Sequence, residues 1–275
     1  MAQKHKDFEI IILDQSDTGS SEQAVREAVG CPTNLRYIRS STVGKSQALN
    51  LVMQEARGDI FALTDDDVEA PSDWLDKIEK AFIDMPKADV IFGQVFPCDV
   101  SHLKHQVYVP AFWFAERRFL QKGDSSGMGA NMAIRREMAL KVGCYDPLMG
   151  PGTTMPAAEE GDFIYRAQRL GAKVLHEPSI SLVHRAWRDK DQWTEVLRSY
   201  GMGDAAFAAK HMRCGDISPM MRMGSRYLYF FFRLCYRIIT RNKHQEEYYL
   251  RGFAKGITRG LRQPLDRSRR VFKEG

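Results

Sequence analysis

The segment ALTDDDVEAPSDWL, residues 62–75, decides the fold: an apolar strand over residues 60–63 ends in three consecutive carboxylates, Asp65, Asp66 and Asp67, and Pro71 with Asp73 then opens a helix that runs to about residue 85. Acids gathered at the carboxyl end of a strand repel one another unless a cation or a reacting proton is handled there. The same alternation extends upstream. Residues 8–13 read as a buried strand, the polar cluster 14–21 closes it, and a short helix follows over 22–29. A second short strand is expected at 35–38 and a helix at 45–55, after Gly44. Repeated strand-then-helix units predict an α/β fold, a mostly parallel sheet flanked by helices, with ligands bound beyond the carboxyl ends of the strands.

Downstream, residues 90–95 read as a strand and the aromatic-rich stretch 107–120 as a helix. Short helices are expected at 135–142 and at 162–170, the latter ended by Gly171, and an extended segment at 174–183 is interrupted by Pro178. Within GANMAIRREMALKVGCYDPLMGPGTTMPAAEEGDFIYRAQRLGAKVLHEPSISLVH, residues 129–184, a second acid group, Glu159, Glu160 and Asp162, follows a Gly/Pro/Thr loop and precedes Arg166. Two Glu and an Asp there also suit the positive N-terminal end of a helix, with Asp162 as its cap.

With 275 residues, 44% apolar and 11% aromatic, the chain can bury a substantial core. Its five cysteines include no C-x-x-C pair, which argues against a zinc ribbon or a disulfide framework and fits a reducing cytoplasmic setting. The net charge of +5 is uneven: residues 211–275 carry 15 Lys/Arg against 5 Asp/Glu, and residues 1–210 carry 25 against 30. A basic tail of this kind suits an anionic partner. Its longest uncharged apolar run, residues 227–232, is far below the roughly 20 residues that a membrane-spanning helix needs.

Over most of residues 8–211 these motifs resemble the inverting family-2 glycosyltransferases of GT-A fold. The resemblance implies transfer of a sugar from a nucleotide-diphosphate-sugar donor to an acceptor hydroxyl, on a glycan or a lipid-linked glycan, in cell-surface polysaccharide synthesis. It implies a base-reading role for Asp14, and Mg2+ or Mn2+ held by Asp66 with Asp67, while Asp65 faces the ribose. His184 stands where many relatives place a histidine near metal or diphosphate. Gly129 and Asn131 match a G-x-N strand at the donor sugar. In the segment Gly44–Asn50, Leu49 replaces the family's arginine, so Lys45 or Arg39 would make the phosphate contact. By position the general base is Glu160, where the family usually has Asp, with Glu159 and Asp162 as alternates. The chain begins seven residues before the first matching strand, so the family's first strand–helix unit is expected to be missing. That gap, Leu49 and Glu160 motivate an alternative reading, a catalytically impaired homologue that binds sugar nucleotides or membranes.

A transferase domain is therefore expected over residues 1–211 and a basic helical tail over 212–275. In the tail Leu228, Phe231, Phe232, Cys235 and Ile239 fall on one helical face, and Arg222, Arg226, Arg233, Arg237 and Arg241 on the other. Such a helix either lies on an anionic membrane surface or covers the transferase core. No nucleic-acid-binding fold accompanies the charge, and no nucleic-acid partner is expected.

Overall fold

A computed structural model describes residues 3–18, 20–29, 33–103, 107–122, 124, 127–241 and 245–274. Cys31 lies outside them, and the other four cysteines are free thiols. The α/β arrangement expected from the alternation is the one the chain adopts. Strand β1 (Ile10–Asp14), helix α1 (Ser20–Val29) and strand β2 (Leu35–Arg39) form a parallel pair with its crossover. Helix α2 (Lys45–Glu55) leads into β3 (Ile60–Leu63), β4 (Val68–Glu69) and α3 (Trp74–Asp84). Then follow β5 (Val90–Pro97), β6 (Arg118–Phe119), β7 (Met132–Arg135), α4 (Arg136–Val142), α5 (Glu159–Arg169) and β8 (Val174–His184). Three helices, α6 (Lys190–Arg213), α7 (Ser218–Ile239) and α8 (Glu246–Arg262), and the hairpin β9 (Leu265–Asp266) with β10 (Val271–Phe272) complete the chain.

The larger sheet has the order β3-β7-β5-β8-β4, with β6 also on β8. Its long central pairing, β5 with β8, is parallel, and β7 makes the sheet mixed by pairing antiparallel with both β3 and β5. Alternation along β5 splits the core by sheet face: Val90 and Phe92 pack with Phe61, Met132, Tyr145 and Phe163, and Ile91 packs with Trp74, Ile78, Phe82 and Leu175. Pro178 does not end β8. The register shifts there, from Phe92↔His176 to Gln94↔Ser181, and the Pro178 carbonyl accepts from Gln94 Nε2 at 2.8 Å. A residue without an N–H is tolerated where the ladder is already interrupted.

Three expectations are corrected. Residues 107–120 are extended, not helical: Phe112 exchanges backbone hydrogen bonds with Val95, Tyr108 with Arg188, and β6 pairs with β8. Gly129–Asn131 is a 3-10 turn, and the strand begins only at Met132. Helix α5 begins at Glu159, with Ala158 as its left-handed N-cap residue, so Asp162 lies inside the helix and does not cap it.

The boundary expected at residue 211 falls inside α6. Helix α8 packs along α6 so closely that a Cβ at Gly252 or Gly256 would strike the α6 backbone, and Phe272 joins Met149, Tyr165 and Phe207 in one core cluster. Helix α7 meets this layer through Met223, Tyr227, Phe230 and Leu234, spaced four, three and four residues apart. The face expected to be its apolar side is not the packing face: Leu228, Phe231, Phe232 and Ile239 are exposed. No helix among the described residues is long and apolar enough to cross a membrane.

Candidate active site

Lys45 joins the carboxyl end of β3 to the first turn of α5. As the first residue of α2 it lies below Gly44, and its backbone N–H reaches the Pro151 carbonyl at 3.0 Å, which ties α2 to the loop before α5. Its ammonium is 2.9 Å from Asp65 Oδ1, at the end of β3, and 3.1 Å from Glu160 Oε1, in the first turn of α5. Burial alone would lower the Lys45 pKa, yet the charges of Glu160 and Asp65 outweigh it and hold the group above the usual lysine range. Leu49 instead packs against the core, so Lys45 is the cation that α2 delivers to this point.

Glu160 leans over the 3-10 turn: a Cβ on Gly129 would collide with the carboxylate as it lies, so a larger residue there would displace the Glu160 side chain. Glu159 is buried, and burial followed by the charge of Glu160 raises its pKa, against the pull of Lys45. Beside it the fully buried Tyr145 stacks on Phe163, and its hydroxyl has no hydrogen-bond partner among the described residues.

Asp67 and His184 form a second pair. Strand β4 runs antiparallel to the end of β8, with Val68 opposite His184, and this register sets the His184 ring 3.6 Å from Asp67 Oδ1 through Nε2. His184 Nδ1 donates to the Ala186 carbonyl at 3.1 Å, which in the neutral ring leaves the Nε2 lone pair turned toward Asp67. An imidazole lone pair facing a carboxylate, with the exposed Asp66 adjacent, fits a divalent cation whose remaining ligands come from the substrate. Among the described residues no three His, Cys, Asp or Glu side chains converge as a complete cage.

Asp14 ends β1 as expected and is held by Tyr37 Oη at 2.5 Å and by the Ser16 N–H and hydroxyl at 2.8 and 2.9 Å. The Tyr37 bond and then those from Ser16 lower its pKa, so it is an ionised acceptor with lone pairs to spare. Next to it, Gln15 donates to Thr42 and to the Gly44 carbonyl, which connects Asp14 to the start of α2.

Two expected site residues face inward instead. Both ends of the Asn131 amide are used, accepting from Trp74 Nε1 at 3.0 Å and donating to the Gln94 carbonyl at 2.8 Å, and the residue is 1% exposed. It braces β5 against α3 and presents nothing to a ligand. Asp162 is fully buried against Lys210 at 2.8 Å, Arg166 at 2.9 Å and His211 at 2.9 Å. Burial would raise its pKa, but Lys210, Arg166 and His211 hold it well below the carboxylate range, which removes it as a base. Sequence reasoning missed Tyr37, Tyr145, Lys210 and His211. Tyr37, Lys210 and His211 lie far along the chain from their carboxylate partners, and Tyr145 has none among the described residues, so none of the four leaves a local pattern.

A model of the family described as glycosyl transferase family 2 matches residues 1–143. Over 212 residues the chain is 22% identical to a glucosyl-dolichyl phosphate glucuronosyltransferase of Haloferax volcanii, covering 74% of this chain and 67% of that protein. Among solved structures it is similar to a mannosyltransferase from Pyrobaculum calidifontis in complex with GDP-Man and Mn2+, with a TM-score of 0.59 at 16% identity, covering 93% of this chain and 80% of the other. It is also similar to S. aureus TarS, with a TM-score of 0.56 at 15% identity, covering 94% and 74%.

Proposed function

Because the chain belongs to glycosyl transferase family 2, we propose that it transfers a hexose from a nucleotide-diphosphate-sugar donor to an acceptor hydroxyl with inversion. The observation that carries this reading is the Lys45 bridge, which joins the end of β3 to the first turn of α5, at 2.9 Å to Asp65 and 3.1 Å to Glu160. In-line displacement needs a cation on the leaving-group side and a carboxylate base on the acceptor side of one carbon, and Lys45 and Glu160 supply one of each.

Asp14 reads the base edge of the donor, and Asp65 faces its ribose. Asp66, Asp67 and His184 are the residues that would hold Mg2+ or Mn2+, whose charge, when bound, offsets the negative charge that develops on the departing diphosphate. Lys45 supplies a fixed cation to the same oxygens. Glu160 takes the proton from the acceptor hydroxyl as the new C–O bond forms, while the bond between the anomeric carbon and the donor phosphate oxygen breaks. The nucleoside diphosphate leaves with that electron pair. Gly129 gives the sugar a surface without a side chain of its own beside the Glu160 carboxylate.

The wider setting is cell-surface polysaccharide synthesis at the cytoplasmic face of the cell membrane, with a glycan or lipid-linked glycan as acceptor. What supports a peripheral position is the exposed apolar row of α7, with Phe232 65% and Ile239 80% exposed in a strongly basic part of the chain. The test is to incubate the protein with UDP- and GDP-sugars and Mn2+, follow release of nucleoside diphosphate, and determine the anomeric configuration of the product by NMR. A product that retains the donor configuration rules out the single displacement.

A further inference from the structure

An aromatic cluster beside the site belongs to none of the hydrophobic cores. Trp193, in the first turns of α6, stacks on Tyr108 with ring centroids 5.1 Å apart and planes 6° apart, and Tyr200, two turns further on, stands edge-on to Trp193 at 6.4 Å and 89°. The unit is braced from three sides. Tyr108 and Arg188 exchange two backbone hydrogen bonds of 2.8 Å, the Tyr108 hydroxyl accepts from Gln245 Nε2 at 3.2 Å, and a capping box of Asp189 and Gln192 fixes the start of α6. Yet Tyr200 as a residue remains 40% exposed.

Its position relative to the proposed base follows from helix geometry. Gly203, one turn beyond Tyr200 and on the same face of α6, is packed so tightly against Ala157 that a Cβ there would overlap it. Ala157 lies two residues before Glu159. Tyr200 therefore sits one turn, roughly 5 Å, along α6 from the segment that delivers Glu159 and Glu160. Burial first, and then the charges of Glu160 and Glu159, raise its phenol pKa. A braced, partly exposed aromatic ring in the neighbourhood of two carboxylates matches the chemistry of a pyranose, whose C–H face is apolar and whose rim carries hydroxyls.

We infer that Tyr200, braced by Trp193 and Tyr108, is the platform on which the acceptor lies, and that the acceptor presents a pyranose ring there, so the enzyme extends a glycan and does not glycosylate a bare lipid phosphate or a peptide hydroxyl. The inference rests on the transferase reading for its direction, but its test does not depend on turnover. Saturation-transfer NMR with the methyl glycosides of glucose, mannose and N-acetylglucosamine reads ring contact directly. Transfer to the ring C–H protons of at least one glycoside is expected in the wild type, with affinity lowered about tenfold in Tyr200→Ala and retained in Tyr200→Phe. Quenching of tryptophan fluorescence by the same glycoside checks the site in the unmutated protein, since Trp193 abuts the platform. No contact with any of the three glycosides, or equal binding by Tyr200→Ala, overturns the inference. Failure of the transferase reading has a separate signature: the wild type binds the glycoside but releases no nucleoside diphosphate from any donor.

Discussion

Lys45 and Glu160 are 115 positions apart in the sequence and 3.1 Å apart in space. No strand pairing joins these two elements, and the ion pair adds to the backbone bond from Lys45 N–H to the Pro151 carbonyl in tying α2 to the segment that carries α5. Lys45→Met removes a cation and leaves Asp65 and Glu160 facing each other without compensation. Transfer should fall by about 10²-fold, the usual scale for losing one preorganised charge at a developing anion. Initial rates under saturating donor measure it, and an unchanged rate would show that the bridge is only structural.

Asp66 and Asp67 are neighbours with different surroundings, since Asp67 already faces His184 and Asp66 faces solvent. Asp66→Ala should therefore abolish metal-dependent donor binding without disturbing the fold. Calorimetry with Mn2+ and nucleotide sugars is the measurement. Equal affinity with and without the side chain would remove Asp66 from the metal site.

Glu160 and Asp162 share a helix turn, but their amide variants should behave in opposite ways. Glu160→Gln should keep donor binding and lose transfer by about 10²-fold or more. Asp162→Asn removes a fully buried charge from Lys210, Arg166 and His211, so its effect should be on the fold, about 3–5 kcal/mol of stability. Thermal denaturation of the two variants beside their turnover separates the roles. A stable Asp162→Asn that loses only activity would restore Asp162 as the base.

That contrast marks what was legible in the sequence. The α/β alternation and the acid triplet at the end of β3 could be read because strand, turn and helix signals lie within a few residues of one another. The roles of Asp162 and Asn131 could not: His211 is 49 residues from Asp162, and Trp74 is 57 residues from Asn131. The stretch 107–120 misled for a related reason. Its aromatics are spaced to meet other strands, Phe114 stacking on His176 at 4.0 Å, and mimic a helix only when read along the chain. On α7, periodicity found two-sidedness but not which side packs, because the partner surface on α8 is itself assembled from distant residues.

Glu159 sets a pH dependence with a definite sign. Its pKa is raised from 4.5 to about 8, mainly by burial, so between these values the folded chain holds a proton that the unfolded chain has lost. Stability should therefore fall as pH rises from about 4.5 to 8. Glu159→Gln, neutral at every pH, should flatten that decline. Denaturant midpoints measured across this range decide it, and parallel curves for the two proteins would mean that Glu159 does not carry the proton.

Helix α7 holds three of its arginines in ion pairs and, beside its packed apolar face, leaves a second apolar row bare. Arg226 pairs with Asp204 at 3.1 Å, and Arg233 and Arg237 pair with Glu246 at 2.7 and 3.1 Å. The arginines are about a third to a half exposed while Glu246 is buried, so Arg233 and Arg237 hold its charge in place, and all three still present part of each guanidinium to solvent. An anionic surface gains about 1 kcal/mol for each cation near it without breaking these pairs. Phe232 and Ile239 point away from the packing face of Tyr227, Phe230 and Leu234. The double variant Phe232→Ser, Ile239→Ser should leave the melting temperature within a few degrees of the wild type, because neither side chain is buried. The wild type should sediment with phosphatidylserine-containing vesicles and be released by salt, and the double variant should stay in the supernatant at every salt concentration. If the wild type does not sediment, or the variant sediments equally, the exposed row is not a membrane contact.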